Sequence, residues 1–394
     1  MWLARARWVH GSIMSVIDLT DPDHIPRVAM ITRFPPSESG SAMAALDLSR
    51  RLARRGFALE VVRLILPGDA SAGAGDSVVM DVNAEWAMCP RIAAGRANRC
   101  DIAVLQIDRH VPIQLLDKLL SELEVPVALA VDDVSSVDSD DTLLLAGAVT
   151  KAHAVVVPSE TARRRLTAMT NGAVEIDVIP PGSPWRALQP DRKVRRQILS
   201  WGYLAPGMGA ERVIRSLAQL GDLEPKPRYR LIGVTDPGWT QQDGATYRAD
   251  LLEEAERLGV QDLLDIVPIL HSRKGMEQEI ARSDVIAVVY DSQDRASSRI
   301  LAEAVSTGRP VVATAFPAAI EMLSSGAGLT VAHDDPDTLT AALKTLLTDD
   351  RAYLSASEAA ATMSPKLGVE ETARRYASLL RRRLGNRRMS VITS

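Results

Sequence analysis

The chain has 394 residues, of which 46% are hydrophobic, 24% charged and 4% aromatic, with a formal net charge of −4. A chain of this length exceeds the roughly 250–300 residues that one hydrophobic core organises, so two domains are expected, and the near-average composition excludes a predominantly disordered, fibrous or repeat protein. The slightly acidic balance gives no general attraction to nucleic acid or anionic lipid, and the few rings argue against base-stacking platforms.

Cys89 and Cys100 form no CxxC pair and the six histidines show no paired ligand spacing, so no metal site is expected and a reducing cytosol is the default compartment. No apolar run approaches the roughly 20 residues that span a bilayer. Residues 1–26 carry basic side chains without a continuous apolar stretch and read as an extension, with Met14 an alternative start, rather than as a secretion signal.

In chain order, Arg27–Thr32 reads as a buried strand, followed by a Pro- and Ser-rich loop to Gly40 and Ser41, a helix ended by Gly56, and a second strand at Ala58–Leu66. This βαβ unit implies a parallel sheet with a right-handed crossover. Strands follow at 102–106, 127–131, 154–157 and 176–179, separated by helical stretches at 113–123, 142–151 and 160–169. The run Pro180-Pro181-Gly182-Ser183-Pro184 cannot continue a central strand. The first domain is therefore expected over 27–182, with a linker at 183–195.

The alternation restarts with a strand at 197–201, a loop from Trp201 to Gly209, a helix at 210–220, a strand at 229–232 and a helix at 247–258. Further strands are expected at 264–267, 284–289 and 310–314, with a helix beginning near Ser298 between the last two. This places a second domain over 196–368, a helix at 369–385 positioned to cross back to the first domain, and a charged tail at 386–394. The expected fold class is α/β, with two facing, doubly wound, Rossmann-like domains and the ligand in the cleft between their C-terminal strand edges.

Three strand-to-helix loops with small residues are candidate anion sites, because free backbone N–H groups and the helix dipole point at the ligand. The first is Ser39-Gly40-Ser41, which also reads as a plain tight turn. The second contains Gly202, Gly207 and Gly209; Arg212 stands where a dinucleotide fingerprint wants a third glycine. The third runs from Tyr290 to Ser298 and opens a helix whose inward face carries Glu303 and whose end is Gly308. A carboxylate there can accept both hydroxyls of a ribose while the helix start meets a diphosphate.

These blocks, with Val156-Val157-Pro158-Ser159-Glu160, Val178-Ile179-Pro180-Pro181-Gly182 and Glu303-Ala304-Val305-Ser306-Thr307-Gly308-Arg309-Pro310-Val311-Val312, resemble the retaining glycosyltransferases of family 4 over roughly residues 27–380. The resemblance implies the GT-B fold and transfer of a sugar from a nucleotide-diphosphate sugar to a hydroxyl acceptor, with no cofactor and no obligatory metal, and the charge balance adds the expectation of no nucleic-acid partner. The acceptor, whether glycan, lipid or small molecule, is left open. Carried over residue by residue, Glu303 matches the ribose ligand. Ser297, Ser298, Ile300 and Leu301 match the loop and helix start that hold the diphosphate. Gly40 with Ser41, Gly202 and Gly209 match the glycine loops around the donor.

The sequence departs from that pattern in several places. Met208 stands where a lysine usually offsets the diphosphate charge, Tyr203 where an arginine often follows Gly202, and Arg295 in place of the first glutamate of the family's E-x7-E motif. Ser298-Arg299 replaces a Ser-Gly, and Gln106-Ile107-Asp108 and Val131-Asp132-Asp133 stand where relatives carry a Gln-His-Glu and a second histidine over the sugar, so both histidines are absent. Two readings follow. In one, Arg299 or Arg295 supplies the missing charge and Asp132 or Asp133 reshapes the acceptor and sugar contacts, with Asp132 and Arg299 the candidate catalytic residues. In the other, the chain is a non-catalytic GT-B protein that pairs with, or regulates, an active glycosyltransferase.

Simpler alternatives stand beside the remaining features. The arginine faces Arg50-Arg51-Arg54-Arg55 and Arg163-Arg164-Arg165 read either as solvated surface or as peripheral contact with anionic lipid at the inner face of a membrane. Asp132-Asp133 reads either as a metal-diphosphate chelate or as a loop cap, and His153 as a structural residue.

Overall fold

The computed structural model describes residues 24–34, 40–65, 78–81, 89–108, 111–134, 139–189, 195–236, 239–268 and 272–392. The expected loop at 35–39, most of the N-terminal extension and the charged run at 191–194 lie outside the described residues.

Among the described residues the first domain holds strands β1 (Arg27–Thr32), β2 (Ala58–Ile65), β3 (Val78–Asp81), β4 (Ile102–Ile107), β5 (Val127–Val131), β6 (Ala154–Val157) and β7 (Ile176–Val178). They form one sheet in the order β3-β2-β1-β4-β5-β6-β7, and each neighbouring pair is parallel. Alternate residues of β1 show why these strands read as unbroken apolar runs. Val28 and Met30 pack on one face with Leu48 and Leu52 of helix α1 (Gly40–Ala53), while Ala29 and Ile31 join the core on the other. That second face is covered by α2 (Cys89–Ala97), α3 (Ile113–Glu122), α4 (Ser139–Lys151) and α5 (Glu160–Met169).

The second sheet repeats the order with one strand fewer. Strands β8 (Gln197–Leu204), β9 (Arg228–Thr235), β10 (Leu264–Val267), β11 (Val285–Val288), β12 (Val311–Thr314) and β13 (Gly328–Val331) are arranged β10-β9-β8-β11-β12-β13. Around it lie α6 (Ala210–Gln219), α7 (Gln241–Arg257), α8 (Arg273–Arg282), α9 (Arg299–Ser306), α10 (Pro317–Leu323), α11 (Pro336–Thr348) and α12 (Asp350–Leu367). In both sheets the chain reverses its winding beside the first strand, between β1 and β4 and between β8 and β11. The loops that open there are where ligands settle in this architecture.

Helix α13 (Val369–Ile392) returns to the first domain, where Ala373, Tyr376, Ala377, Leu379 and Leu380 complete the core over β1 and β4. The two passages between domains run side by side. Ser183 donates its N–H to Leu367 O at 2.8 Å, and Val369 donates to Ser183 O at 3.0 Å. A Cβ on Gly182 would come within 2.8 Å of Val369 Cα, so this approach requires glycine.

Several expectations are corrected. Trp201–Leu204 belongs to β8 rather than to a loop, because full pairing with β9 extends to Leu204–Thr235. Helix α7 starts at Gln241, six residues earlier than expected, where Thr240 and Asp243 form a capping box. Helix α13 continues to Ile392 instead of ending near 385; Gly385 costs only about 1 kcal/mol in a helix otherwise rich in helix formers. The short elements β3, α2, α8 and α10 and the 18-residue α12 are not among those expected from the sequence.

Candidate functional site

Facing loops of the two domains enclose a cleft of about 380 Å³. One wall is the end of β8, the β11–α9 loop and α9; the other is the start of α1 and the ends of β4 and β5.

Helix α9 organises the first wall. Ser298 is its N-cap in extended backbone, and its Oγ accepts the Leu301 N–H at 3.1 Å. The same hydroxyl lies 3.3 Å from Tyr290 Oη, and Tyr290 stacks at 5.3 Å on Phe316. The guanidinium of Arg295 sits 4.1 Å from the Tyr290 ring centroid, with its Nε buried and without a hydrogen-bond partner. Two positive groups, Arg295 and Arg299, therefore stand at a helix N-terminus, whose own dipole favours an anion.

One turn into α9, Glu303 faces the cleft and accepts the indole N–H of Trp201 at 3.3 Å. Burial pushes its carboxyl above the usual range, and the nearby Arg299 charge opposes that shift. Trp185 and Trp201 both line the cleft beside it.

The second wall is acidic. Asp132, at the end of β5, receives Arg299 Nη2 on its carboxylate at 3.1 Å and the Ser297 hydroxyl on its carbonyl at 2.5 Å. Burial pushes the Asp132 carboxyl up, and Arg299 again opposes the shift. Neighbouring Asp108 accepts Ser41 Oγ at 3.0 Å and lies 3.5 Å from the buried Arg33. Asp47 on α1 reaches across to Arg273 of α8.

The cleft thus gathers Gly40, Ser41, Asp132, Gly202, Arg295 and Ser297, together with Ser298, Arg299, Ile300 and Glu303. Two expected members do not line it. Leu301 is fully buried in the second domain's core, and its N–H is already taken by Ser298. Gly209 caps α6 at φ 79°, where a Cβ would fall 1.5 Å from Val289 O, so its glycine serves close packing. Gly40 has no such need, since a Cβ there would meet Arg299 Cδ at an ordinary 3.6 Å. Met208 lines the cleft and packs, partly buried, against the apolar cluster around α9.

Sequence reading missed Trp185, Arg273 and Met276 as lining residues, because the cleft side of an element is set by tertiary packing. The arginine faces depart from a purely solvated or lipid-facing surface at three positions, Arg51, Arg55 and Arg165, while Arg163 and Arg164 are exposed. Arg51 and Arg55 bind Glu370 of α13 at 2.8 and 2.9 Å, while Arg50 and Arg54 are exposed. Arg165 is largely buried and bound to Asp294 of the other domain. His153 accepts the Val127 N–H through Nδ1 at 3.1 Å, a structural role. Among the described residues no cluster of three or more ligating side chains could hold a metal, and no helix is long and apolar enough to cross a membrane.

Residues 195–349 match the family model described as Glycosyl transferases group 1. No curated protein matches the chain by sequence. Among solved structures it is similar to the sucrose-phosphate synthase of Thermosynechococcus elongatus, at 15% identity and TM-score 0.70, covering 91% of this chain and 98% of that one. It is also similar to Anabaena Alr3699/HepE in complex with UDP-glucose, at 16% identity and TM-score 0.70, covering 90% and 99%. A third similar structure is a glycosyltransferase from Rickettsia africae, at 14% identity and TM-score 0.69, covering 92% and 100%. At such identities the likeness is one of fold: the chain has the GT-B architecture of two facing Rossmann-like domains, and its second domain matches glycosyl transferases group 1.

Proposed function

We propose that the protein is a retaining, metal-independent glycosyltransferase of family 4 that moves a hexosyl group from a nucleotide-diphosphate sugar to a hydroxyl acceptor. The observation that carries this reading is Glu303, held on the cleft face of α9 one turn beyond an N-terminus furnished with Ser297, Ser298 and Arg299. Glu303 accepts the ribose hydroxyls, and the start of α9 with Arg295 and Arg299 holds the diphosphate. As the bond from the sugar's anomeric carbon to the diphosphate oxygen breaks, the guanidiniums offset the charge gathering on the leaving group; one such electrostatic donor is worth about 3 kcal/mol in other enzymes. Asp132 faces the transferred sugar, and the acceptor hydroxyl enters from the first domain. The family match over residues 195–349 and similar structures described as complexes with UDP and UDP-glucose support the donor class. A cytoplasmic enzyme with at most peripheral membrane contact fits the chain.

A second reading rests on the Arg299–Asp132 pair, which occupies the space between the walls. If that pair persists with nucleotide present, the protein binds a donor without turning it over and serves an active partner. A calorimetric screen against UDP-, GDP- and ADP-sugars, followed by an assay for released nucleotide, separates the two. No binding across the panel by folded protein removes the transferase reading; binding without release in the presence of varied acceptors selects the non-catalytic one.

A further inference from the structure

The loop between β11 and α9, residues 291–298, is held by both domains in an interleaved way. Its own domain fixes Asp291, whose N–H donates to Gly207 O at 3.0 Å and whose carboxylate takes Arg212 at 2.7 Å, and it fixes Arg295, whose carbonyl accepts the Ala318 N–H at 3.1 Å. The intervening and following positions are fixed by the first domain. Arg165 of α5 binds the Asp294 carboxylate and donates to the Asp294 carbonyl at 3.1 Å and to Val134 O at 3.3 Å. Ser159 donates to Ala296 O at 2.6 Å, and Ala296 itself is buried in the first domain's core.

We infer that Arg165 and Ser159 are positioning residues for the anion site. They touch no lining group of the cleft directly, but they hold the backbone of residues 294–296, and so aim the Arg295 and Ser297 side chains that border on it. This inference rests on the proposed reading that the start of α9 holds the donor diphosphate. Its physical content is linkage: the anion site is complete only when the domains are docked, so nucleotide binding and domain docking favour each other by the same free energy.

The test is calorimetric titration of the full chain with UDP, GDP and ADP, well below the unfolding temperature, for the wild type and three variants. Arg165→Ala weakens the preferred nucleotide by about tenfold, the scale of one charged contact. Arg165→Lys recovers part of that loss, and Arg163→Ala, an exposed change on the same helix, stays within about twofold of wild type, as surface substitutions do. A purely structural role lowers the unfolding temperature and leaves the affinity of the folded protein untouched. Should Arg165→Ala not fold, Asp294→Ala removes the ion pair from the loop side and weakens binding by about threefold. Wild-type binding with unchanged affinity in Arg165→Ala, or in Asp294→Ala where that is the folded variant, overturns the inference and leaves the donor reading standing. No nucleotide binding by the wild type overturns both.

Discussion

Of the contacts that cross between the domains, two are built from different chemistry. Inside the cleft, Arg299 meets Asp132 through two partly exposed charged side chains. Outside it, the start of α5 is capped from the other domain, where the Glu321 carboxylate accepts the N–H groups of Glu160 at 2.9 Å and Thr161 at 2.7 Å and the Thr161 hydroxyl at 2.6 Å. A ligand diphosphate can replace the first contact charge for charge, whereas no ligand of the cleft can replace the second. Opening the outer joint returns helix N-terminal donors to water and forfeits about 0.5–1.5 kcal/mol for each hydrogen bond. The outer joint is therefore one of the contacts that fix where the domains sit, and the inner one is exchangeable.

The largest expected effect tests the cleft itself. Glu303→Ala weakens nucleotide binding on the order of 100-fold, from loss of charged hydrogen bonds of about 1.5–3 kcal/mol each, with circular dichroism unchanged. Unaltered affinity removes Glu303 from the ribose site. The carboxylate must be ionised to accept both hydroxyls, and burial raises its pKa. Wild-type affinity therefore falls as pH drops through that raised value, above the ordinary carboxylate range, and Glu303→Gln flattens the profile.

The outer joint comes next. Glu321→Ala lowers stability by about 2 kcal/mol, seen as a drop of several degrees in Tm. A Tm equal to wild type would mean that the joint does not hold in solution. At the inner crossing, Asp132→Asn frees Arg299 and tightens nucleotide binding about three- to tenfold by removing a competitor for the guanidinium. Weaker binding would show instead that Asp132 contributes to holding the donor. The smallest effect lies far from both crossings, on α13, where Arg374 and Arg375 hold the Glu371 carboxyl down at about 2. That exposed cluster stabilises above the ordinary glutamate range and is lost as pH falls towards 2, and Glu371→Ala costs about 0.5 kcal/mol in denaturant titration.

The alternation of strands and helices was legible because both sheets are buried on two faces, which leaves unbroken apolar runs such as Val127–Val131. Helix α9 was legible through its cap and its closing glycine. Helix α2 hides behind Cys89-Pro90 and Gly95, and α12 carries Pro365 and many small residues. Asp132 and Arg299 each stood out as a separate departure from a family pattern. Only folding brings these residues, 167 positions apart, into one ion pair. Pairing of that kind has no local periodicity to betray it, and the interdomain roles of Arg165 and Glu321 were hidden for the same reason.

The close approach of Gly182 and Val369 has a mechanical consequence. Because the two covalent passages between domains lie hydrogen-bonded side by side, they act as one hinge line: rotation about that line is permitted, while sliding and twisting are resisted. Any opening is then a swing that parts Asp132 from Arg299 at the free side. A larger residue at 182, which itself lines the cleft beside the passage, would press on Val369 and shift the axis, and so move one wall of the cleft against the other.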